Sequence, residues 1–287
     1  MKNLLFFFIS LCLAGSTFAQ SNADKKTEKL YHLAETNFNR FASKIAGKSS
    51  SDFERTQHIV TWFAQNFDWK STDYRKRTAQ EIIQRRGGNC NELAIVSIEC
   101  MKALGIQYRR VREINLHVDT PRRQETAVQK VQESGNRMSV FGQRHNDHVW
   151  IEVYDPETGR WFPADPSIGV VGEAQWMAAR FGFGERFTLD PSSRDMIAPF
   201  AVFAIDDKGN LLENRSRHYA IDEFNQLYDE KLQTLPSWNK WVHGVEALSD
   251  KARGAFEGTI NLHDYTEEIH ELWDIYYQLK MEYNDLK

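Results

Sequence analysis

One helix is predicted to lie at the centre of the fold. Residues 90–104 carry apolar side chains around most of a helical circumference, and Gly87, Gly88 and Gly105 flank the segment. A helix that is apolar on most sides has to be covered on most sides by other elements. Gly105 fits the left-handed residue that ends many helices. We therefore expect a core built around a helix that begins at Cys90.

Helical patterns also precede this central helix. Residues 24–47 have apolar side chains at three- and four-residue spacing, which predicts one amphipathic helix. Ser51 followed by Glu54, and Thr78 followed by Glu81, are capping-box patterns that mark two further helix starts. The N-terminal part of the domain is therefore expected to be helical.

Two strands are predicted after the central helix. Residues 106–114 follow its end, and residues 148–154 alternate apolar and polar side chains with a period of two. The 115–147 segment between them is longer than most connections, so it is either an active-site flap or an insertion.

A short hairpin is predicted to bring a histidine close to an aspartate. The turn residues at 155–159 allow Tyr154 to pair with Arg160. This register places His148 opposite Pro166, one residue from Asp165. A bulge or a loop one residue different in length makes His148 and Asp165 direct cross-strand neighbours.

The C-terminal part is predicted to add a hairpin and helices. Residues 200–205 and the turn at 207–210 indicate the hairpin. The last helix carries an apolar stripe that we expect to pack against the core, formed by Ile269, Leu272, Trp273, Tyr276, Leu279 and Tyr283.

The N-terminus has the features of an export signal. Residues 1–19 combine Lys2, an apolar stretch and a small-x-small end, so the mature chain is expected to begin at Gln20. Cys90 and Cys100 would lie ~15 Å apart on one helix, too far for a disulfide. Both are therefore predicted to be free thiols, with Cys100 in the core.

Cysteine, histidine and aspartate thus occur in an order that suits a thiol nucleophile. A helix N-terminus stabilises a thiolate, so Cys90 is favourably placed for attack on an acyl carbon. A base and a group that orients the base complete such a site, and His148 and Asp165 fit these roles. The Cys90 amide is a natural oxyanion donor. Substrate is expected to contact three further residues, Gly88, Asn89 and Trp150.

These motifs resemble the transglutaminase-like superfamily. Its signature blocks are a Gly-x-Cys helix start, a His-x-Trp strand and a Trp…Asp-Pro strand, and all three occur in order between Phe53 and Ser167. The resemblance implies a papain-like α+β fold with a central helix packed on an antiparallel sheet. It also implies that Cys90 is the nucleophile, His148 the general base and acid, and Asp165 the orienting residue.

Several functions remain open at this point. The leading hypothesis is an exported cysteine-dependent amidase or peptidase that forms a thioester. Residues 147–154 resemble the peptide N-glycanase branch, but the paired Cys-x-x-Cys zinc ligands of that branch are missing. Acyl transfer to an amine is a further alternative. A non-catalytic binding module that retains the fold belongs to another class. A metal site at His145, Asp147, His148 and Asp165 is disfavoured because it leaves Cys90 unexplained.

The predicted organisation has three parts: a signal peptide at 1–19, a catalytic domain with N-terminal helices at 20–190, and a hairpin with a mainly helical extension at 191–287. No cofactor or metal is expected. The net charge of −4 argues against nucleic acid as a partner, and no segment is apolar for long enough to span a membrane. Expected substrates are proteins, peptides or glycopeptides, in the periplasm or outside the cell. The sequence does not indicate the oligomeric state.

Overall fold

The structure is a computed structural model that describes residues 25–71, 73, 75–116, 147–183 and 198–286. The predicted signal peptide at 1–19 lies outside the described residues, and so do residues 117–146 of the predicted flap or insertion. The predicted domain boundary after residue 190 also falls outside them.

The N-terminal segment forms two helices, so the prediction of one helix over residues 24–47 was wrong. Residues 25–36 form α1, and Phe38–Ala46 forms α2. Asn37 separates them with a backbone φ of −152°, and its side chain accepts a hydrogen bond from the Arg40 amide. Asparagine is a strong N-cap residue, and here its capping contribution outweighs the continuous apolar spacing.

Two further helices begin at the predicted caps. Helix α3 spans Asp52–Asn66, and Ser51 accepts a hydrogen bond from the amide of Glu54. Helix α4 spans Ala79–Arg85, and its N-terminus carries a complete capping box in which two residues, Thr78 and Glu81, exchange hydrogen bonds. Both helix starts are therefore confirmed.

A short parallel pair leads into the central helix. Strand β1, Asp68–Trp69, pairs with β2, Gly87–Gly88. Gly87 has a φ of +153°, and a Cβ added there would lie 2.2 Å from the carbonyl oxygen of Asp68. Only glycine allows this close pairing, and the pairing fixes the backbone just before the central helix.

The central helix is α5, Cys90–Leu104, with Gly105 as a left-handed C-cap at φ +68°. Its predicted bounds are confirmed. It packs against α2, α3, α4 and one face of the sheet at β4. Burial on most sides explains why its apolar residues surround most of its circumference.

The sheet has six antiparallel strands in the order β6-β5-β4-β3-β7-β8. Its strands are β3 (Tyr108–Asn115), β4 (His148–Asp155), β5 (Arg160–Asp165), β6 (Val170–Val171), β7 (Pro199–Ile205) and β8 (Leu211–Asn214). The predicted C-terminal hairpin is β7 with β8, and β7 pairs directly with β3. The C-terminal segment therefore contributes two strands to the same sheet that carries β4 and β5.

The register of the β4–β5 hairpin differs from the prediction by one residue. Tyr154 pairs with Trp161, where pairing with Arg160 was predicted. Continued beyond the last paired residues, this register places His148 level with Ser167. The predicted pairing with Pro166 is therefore wrong, because Asp155 pairs with Arg160 and the turn at 156–159 is one residue shorter than the predicted turn at 155–159.

The remaining helices cover the opposite face of the sheet from α5. Helix α8 packs against β7 and α9, and α9 buries most of the predicted apolar stripe. These helical elements are α6 (Glu173–Phe181), a π-helical turn (His218–Glu223), α7 (Phe224–Leu227), a 3-10 turn (Leu232–Thr234), α8 (Trp238–Glu257), a second 3-10 turn (Leu262–Tyr265) and α9 (Thr266–Asp285). Across the ranges that the structure describes, we find no helix with the length and apolar character needed to cross a membrane.

Candidate active site

Cys90 occupies the first position of the central helix. The preceding residue, Asn89, is the N-cap, and its side chain accepts a hydrogen bond of 3.0 Å from the Glu92 amide. The Glu92 carboxylate accepts one of 3.1 Å from the Asn89 amide in return. This capping box fixes the turn that presents the Cys90 sulfur. The unpaired amides and the positive end of the helix dipole favour negative charge at that position.

Two arginines and a glycine hold Glu92 in this turn. Arg77 donates to Glu92 at 2.7 Å and Arg85 at 3.1 Å. A Cβ added at Gly88 would lie 2.6 Å from the Cβ of Glu92 and 2.9 Å from its carboxylate. The glycine before the helix therefore leaves room for a buried, ion-paired carboxylate next to Cys90.

His148 and Asp165 are joined by a direct hydrogen bond. The distance between His148 Nε2 and Asp165 Oδ2 is 2.7 Å, and both side chains are buried. Oδ1 of Asp165 accepts a hydrogen bond from the Ser167 hydroxyl at 2.5 Å and another from the Ser167 amide at 3.0 Å. Every oxygen of the carboxylate is thus engaged, which fixes the orientation of the imidazole.

The third side chain, Cys90, lies near enough to the same imidazole to affect the pKa of His148. Nε2 of His148 is engaged by Asp165, so the Nδ1 atom is the one available to the sulfur. Burial alone disfavours the imidazolium, but the Asp165 carboxylate outweighs it and raises the pKa of His148 well above its ordinary value. The neighbouring Cys90 also raises the pKa of His148.

The pKa of Asp165 is shifted in the opposite direction to the pKa of His148. Burial alone would raise the pKa of Asp165, but the charge of His148 and hydrogen bonds from His148 and Ser167 outweigh it. The pKa of Asp165 is therefore lowered. The pair favours the charged state, an imidazolium beside a carboxylate.

A second ion pair lies below this one. Glu113, on β3, is the register partner of His148 and is completely buried. Its carboxylate contacts the guanidinium of Arg180 on α6 and accepts a hydrogen bond of 3.0 Å from the indole of Trp150. Burial raises the pKa of Glu113, and Arg180 limits that rise.

The structure places the other predicted site residues in different surroundings. Gly88 and Asn89 are buried beside Cys90, whereas Trp150 is completely buried and packs on Trp176 and Tyr219. That Gly88, Asn89 and Trp150 contact the substrate is still a prediction. The assignment of Cys100 to the core is confirmed, because it has no exposed surface and burial raises the pKa of its thiol. Both thiols are free.

Sequence reasoning missed three residues of this region. Ser167 follows the Asp-Pro motif, and its nearness in sequence to Asp165 was a usable signal. Glu113 and Arg180 had no such signal, because 67 residues separate them and each resembles an ordinary polar position in an amphipathic element.

Within the part of the chain that the structure describes, one group of side chains has the spacing of metal ligands. Ligand atoms of Glu173, His218 and Glu223 lie within 4.8 Å of one another. His218 Nε2 and Glu173 Oε1 are 2.7 Å apart, and Arg160 lies 3.0 Å from Glu173. These contacts account for the group as an ion-pair cluster. The metal site weighed from the sequence includes His145, which lies outside the described residues.

Comparison with protein families identifies the domain that carries this site. Residues 39–166 match the family model of the transglutaminase-like superfamily. A curated relative from Debaryomyces hansenii, peptide-N(4)-(N-acetyl-beta-glucosaminyl)asparagine amidase, is 35% identical over 97 residues. The match covers 31% of this chain and 24% of that enzyme, so this chain spans about a quarter of its relative.

Solved structures give weaker similarities. Red sea bream transglutaminase is 13% identical with a TM-score of 0.34, covering 62% of this chain and 37% of that one. Calcium-bound LapG of Legionella pneumophila is 13% identical with a TM-score of 0.30, covering 67% of this chain and 97% of that one. Since both scores are below 0.5, the fold assignment rests on the family model and on the observed α+β topology.

Proposed function

We propose that this protein is a cysteine-dependent amidase or peptidase with Cys90, His148 and Asp165 as its catalytic triad, because residues 39–166 match the family model of the transglutaminase-like superfamily. The observation that carries the proposal is the 2.7 Å hydrogen bond between His148 and Asp165, on an imidazole whose pKa is also raised by Cys90. These contacts support the roles of nucleophile for Cys90, base for His148 and orienting group for Asp165.

In the first step, the Cys90 thiolate attacks the carbonyl carbon of an amide. The negative charge that develops on the carbonyl oxygen is stabilised by first-turn amides of α5, including that of Cys90. The C–N bond then breaks, and the His148 imidazolium gives its proton to the leaving amine. The products are a free amine and a thioester at Cys90.

In the second step, neutral His148 takes a proton from water, and the hydroxide that forms attacks the thioester. The C–S bond breaks, the acid leaves, and the thiolate and imidazolium are restored. Asp165 keeps the imidazole oriented through both steps and stabilises its cationic form. The same residues catalyse acyl transfer if an amine replaces water in this step.

Alkylation tests the proposal directly. Iodoacetamide at about pH 6 is expected to label Cys90 much faster than Cys100, because Cys100 is buried and its thiol pKa is raised. Cys90→Ala should abolish cleavage of a peptide library, while Cys100→Ala is the matched control that keeps activity. Equal labelling of the two thiols, or activity in Cys90→Ala, would rule out the triad. Equal labelling together with an inactive wild type would favour the non-catalytic binding module.

A second candidate, deglycosylation, is favoured by the 35% identity with the asparagine amidase. The bond broken by such an enzyme is also an amide, so the same thioester chemistry applies. A glycosylated asparagine peptide separates the two candidates. Deglycosylation releases the glycan and leaves aspartate, whereas a peptidase shortens the peptide and keeps the glycan. A labelled amine in the same assay reports acyl transfer.

We also propose that the protein is exported to the periplasm or the cell exterior. Support comes from the apolar segment at residues 1–19. The mass of the protein purified after expression of the full chain should correspond to an N-terminus at Gln20. Recovery of the chain with Met1 in an exported fraction would contradict cleavage.

A further inference from the structure

Four charged side chains meet below the surface of the candidate active site. They are the anions Asp165 and Glu113 and the cations His148 and Arg180, and none is more than 5% exposed. His148 lies between the two anions, because it bonds Asp165 and is the register partner of Glu113. Arg180 contacts Glu113 and also lowers the pKa of Asp165 through its charge.

The elements packed around the imidazole each contribute a charged or titratable side chain. Asp165 comes from β5, Glu113 from β3 and the thiol of Cys90 from α5, while Arg180 of α6 lies behind the two carboxylates. A further neighbour in sequence, Asp147, bonds the backbone amide of Asn115 at 3.0 Å. Cations and anions therefore alternate, and the four buried charges sum to zero.

A buried ion pair adds little net stability to a protein core. Apolar side chains of similar volume stabilise a fold equally well or better, because they require no desolvation of charge. Glu113 and Arg180 do not belong to the triad, and apolar core residues surround them on β3 and α6. Their position directly below His148 and Asp165 indicates that they act on these two residues.

We infer that Glu113 and Arg180 are positioning residues that hold the His148–Asp165 pair in its charged, hydrogen-bonded arrangement, an inference that rests on the proposed function. Glu113 supplies the imidazolium with a second anion, and Arg180 supplies both carboxylates with a second cation. The fixed charges thus stabilise the resting state in which the imidazole beside Cys90 is protonated.

The charge of Glu113 determines how its removal changes the pH at which His148 loses its proton. In Glu113→Gln the imidazolium loses an anion while Arg180 stays, so His148 is expected to lose its proton at lower pH. At an effective dielectric constant of about 20, a unit charge removed from a cross-strand neighbour shifts the alkaline limit of the thiolate–imidazolium state downward by roughly one pH unit or more. Glu113→Gln/Arg180→Met also loses the anion but removes the nearby cation, so its limit should shift less.

The test is the pH dependence of Cys90 alkylation by iodoacetate, an anionic reagent whose rate falls when the imidazolium loses its proton, followed on the full chain by peptide mass. Glu152→Gln is the matched control. Glu152 is a completely buried carboxylate on the same strand, paired with Arg109 and Arg215. It lies four residues, or ~13 Å, from His148, so its neutral variant should shift the alkaline limit by less than half as much as Glu113→Gln does.

The expected order of alkaline limits is wild type highest, the double variant lower and Glu113→Gln lowest. If Glu113→Gln fails to fold because Arg180 loses the Glu113 carboxylate, the double variant still has to show the downward shift. An unchanged limit in the folded variants, or an equal shift in Glu152→Gln, overturns the inference. The proposed function fails separately, if wild-type Cys90 is no more reactive than Cys100.

Discussion

Replacement of Asp165 by asparagine isolates the charge of the His148–Asp165 pair. Asparagine has nearly the same shape, and its carbonyl oxygen can still accept the hydrogen bonds from the Ser167 amide and hydroxyl. The change therefore removes one buried negative charge and creates no cavity. Any large effect has to come from the imidazole left without its counter-ion.

The expected loss of stability is about 3 kcal/mol. Removal of one partner of a buried ion pair costs about 3–5 kcal/mol, because the other charge stays buried and unpaired. Asp165 has no exposed surface and His148 has 5%, so solvent does not screen the remaining charge. The imidazolium can escape by losing its proton, which places the loss at the lower end of that range.

The stability lost in Asp165→Asn is expected to decrease at both the acidic and the alkaline end of the pH range. The pKa of His148 is raised in the folded protein, so its stabilising contribution is complete below the unfolded value of about 6.5 and disappears as pH rises through the folded value. The pKa of Asp165 is lowered, so its contribution is complete above about 3.9 and disappears as pH falls through the folded value. The difference between wild type and Asp165→Asn should be largest between about pH 4 and 6.5.

Urea unfolding at a series of pH values measures this difference. Asp229→Asn is the matched control, because the Asp229 side chain is 85% exposed and its left-handed φ of 51° suits asparagine. The control should stay within about 0.5 kcal/mol of wild type at every pH. A difference for Asp165→Asn that is below 1 kcal/mol, or that does not change with pH, would refute the ion-pair account.

Three further substitutions probe the surroundings of the site and the C-terminal packing. Gly88→Ala should cost about 1–3 kcal/mol by urea unfolding and slow alkylation of the adjacent thiol, because the new methyl would lie 2.6 Å from the Cβ of Glu92; normal alkylation would show that the turn adapts. Ser167→Ala should cost about 1 kcal/mol and lower the alkaline limit of alkylation, since Asp165 loses one of its hydrogen bonds; an unchanged limit would contradict this role. Leu272→Ala should lower the unfolding free energy by about 2–5 kcal/mol, because this side chain is 1% exposed; a loss below 1 kcal/mol would show that α9 packs loosely.

The central helix and the histidine strand were predictable because their signals are local. Glycines mark both ends of α5, and the apolar residues between them identify a helix covered on most sides. Alternation of polar and apolar residues likewise identified β4, whose Val149, Ile151 and Val153 pack in the core around α5. The fold class follows from these elements together with the order of the three motifs.

Two predictions were wrong, the single N-terminal helix and the register of the β4–β5 hairpin. In each, one residue decides between two conformations that the apolar pattern fits about equally well. The break at Asn37 interrupts an apolar spacing that continues through it, so periodicity alone cannot detect it. The β4–β5 turn accepts either of two lengths, and the hydrogen bond from the Gly159 amide to the Asp155 carbonyl oxygen fixes the shorter one. The one-residue shift did not separate His148 from Asp165, because both lie just beyond or at the end of the paired region, where side chains can still reach each other.

Separation along the chain explains which contacts of the site escaped prediction. His148 and Asp165 are 17 residues apart and joined by one hairpin, so local turn chemistry brings them together. Glu113 and Arg180 are 67 residues apart, and their contact needs the sheet to form and α6 to pack on it first. The charged layer below His148 is thus a product of tertiary packing, whereas the His148–Asp165 pair is a product of a single turn. Substitutions in the hairpin should therefore change the geometry of the pair itself, and substitutions at Glu113 or Arg180 should change the pH range over which the pair stays charged.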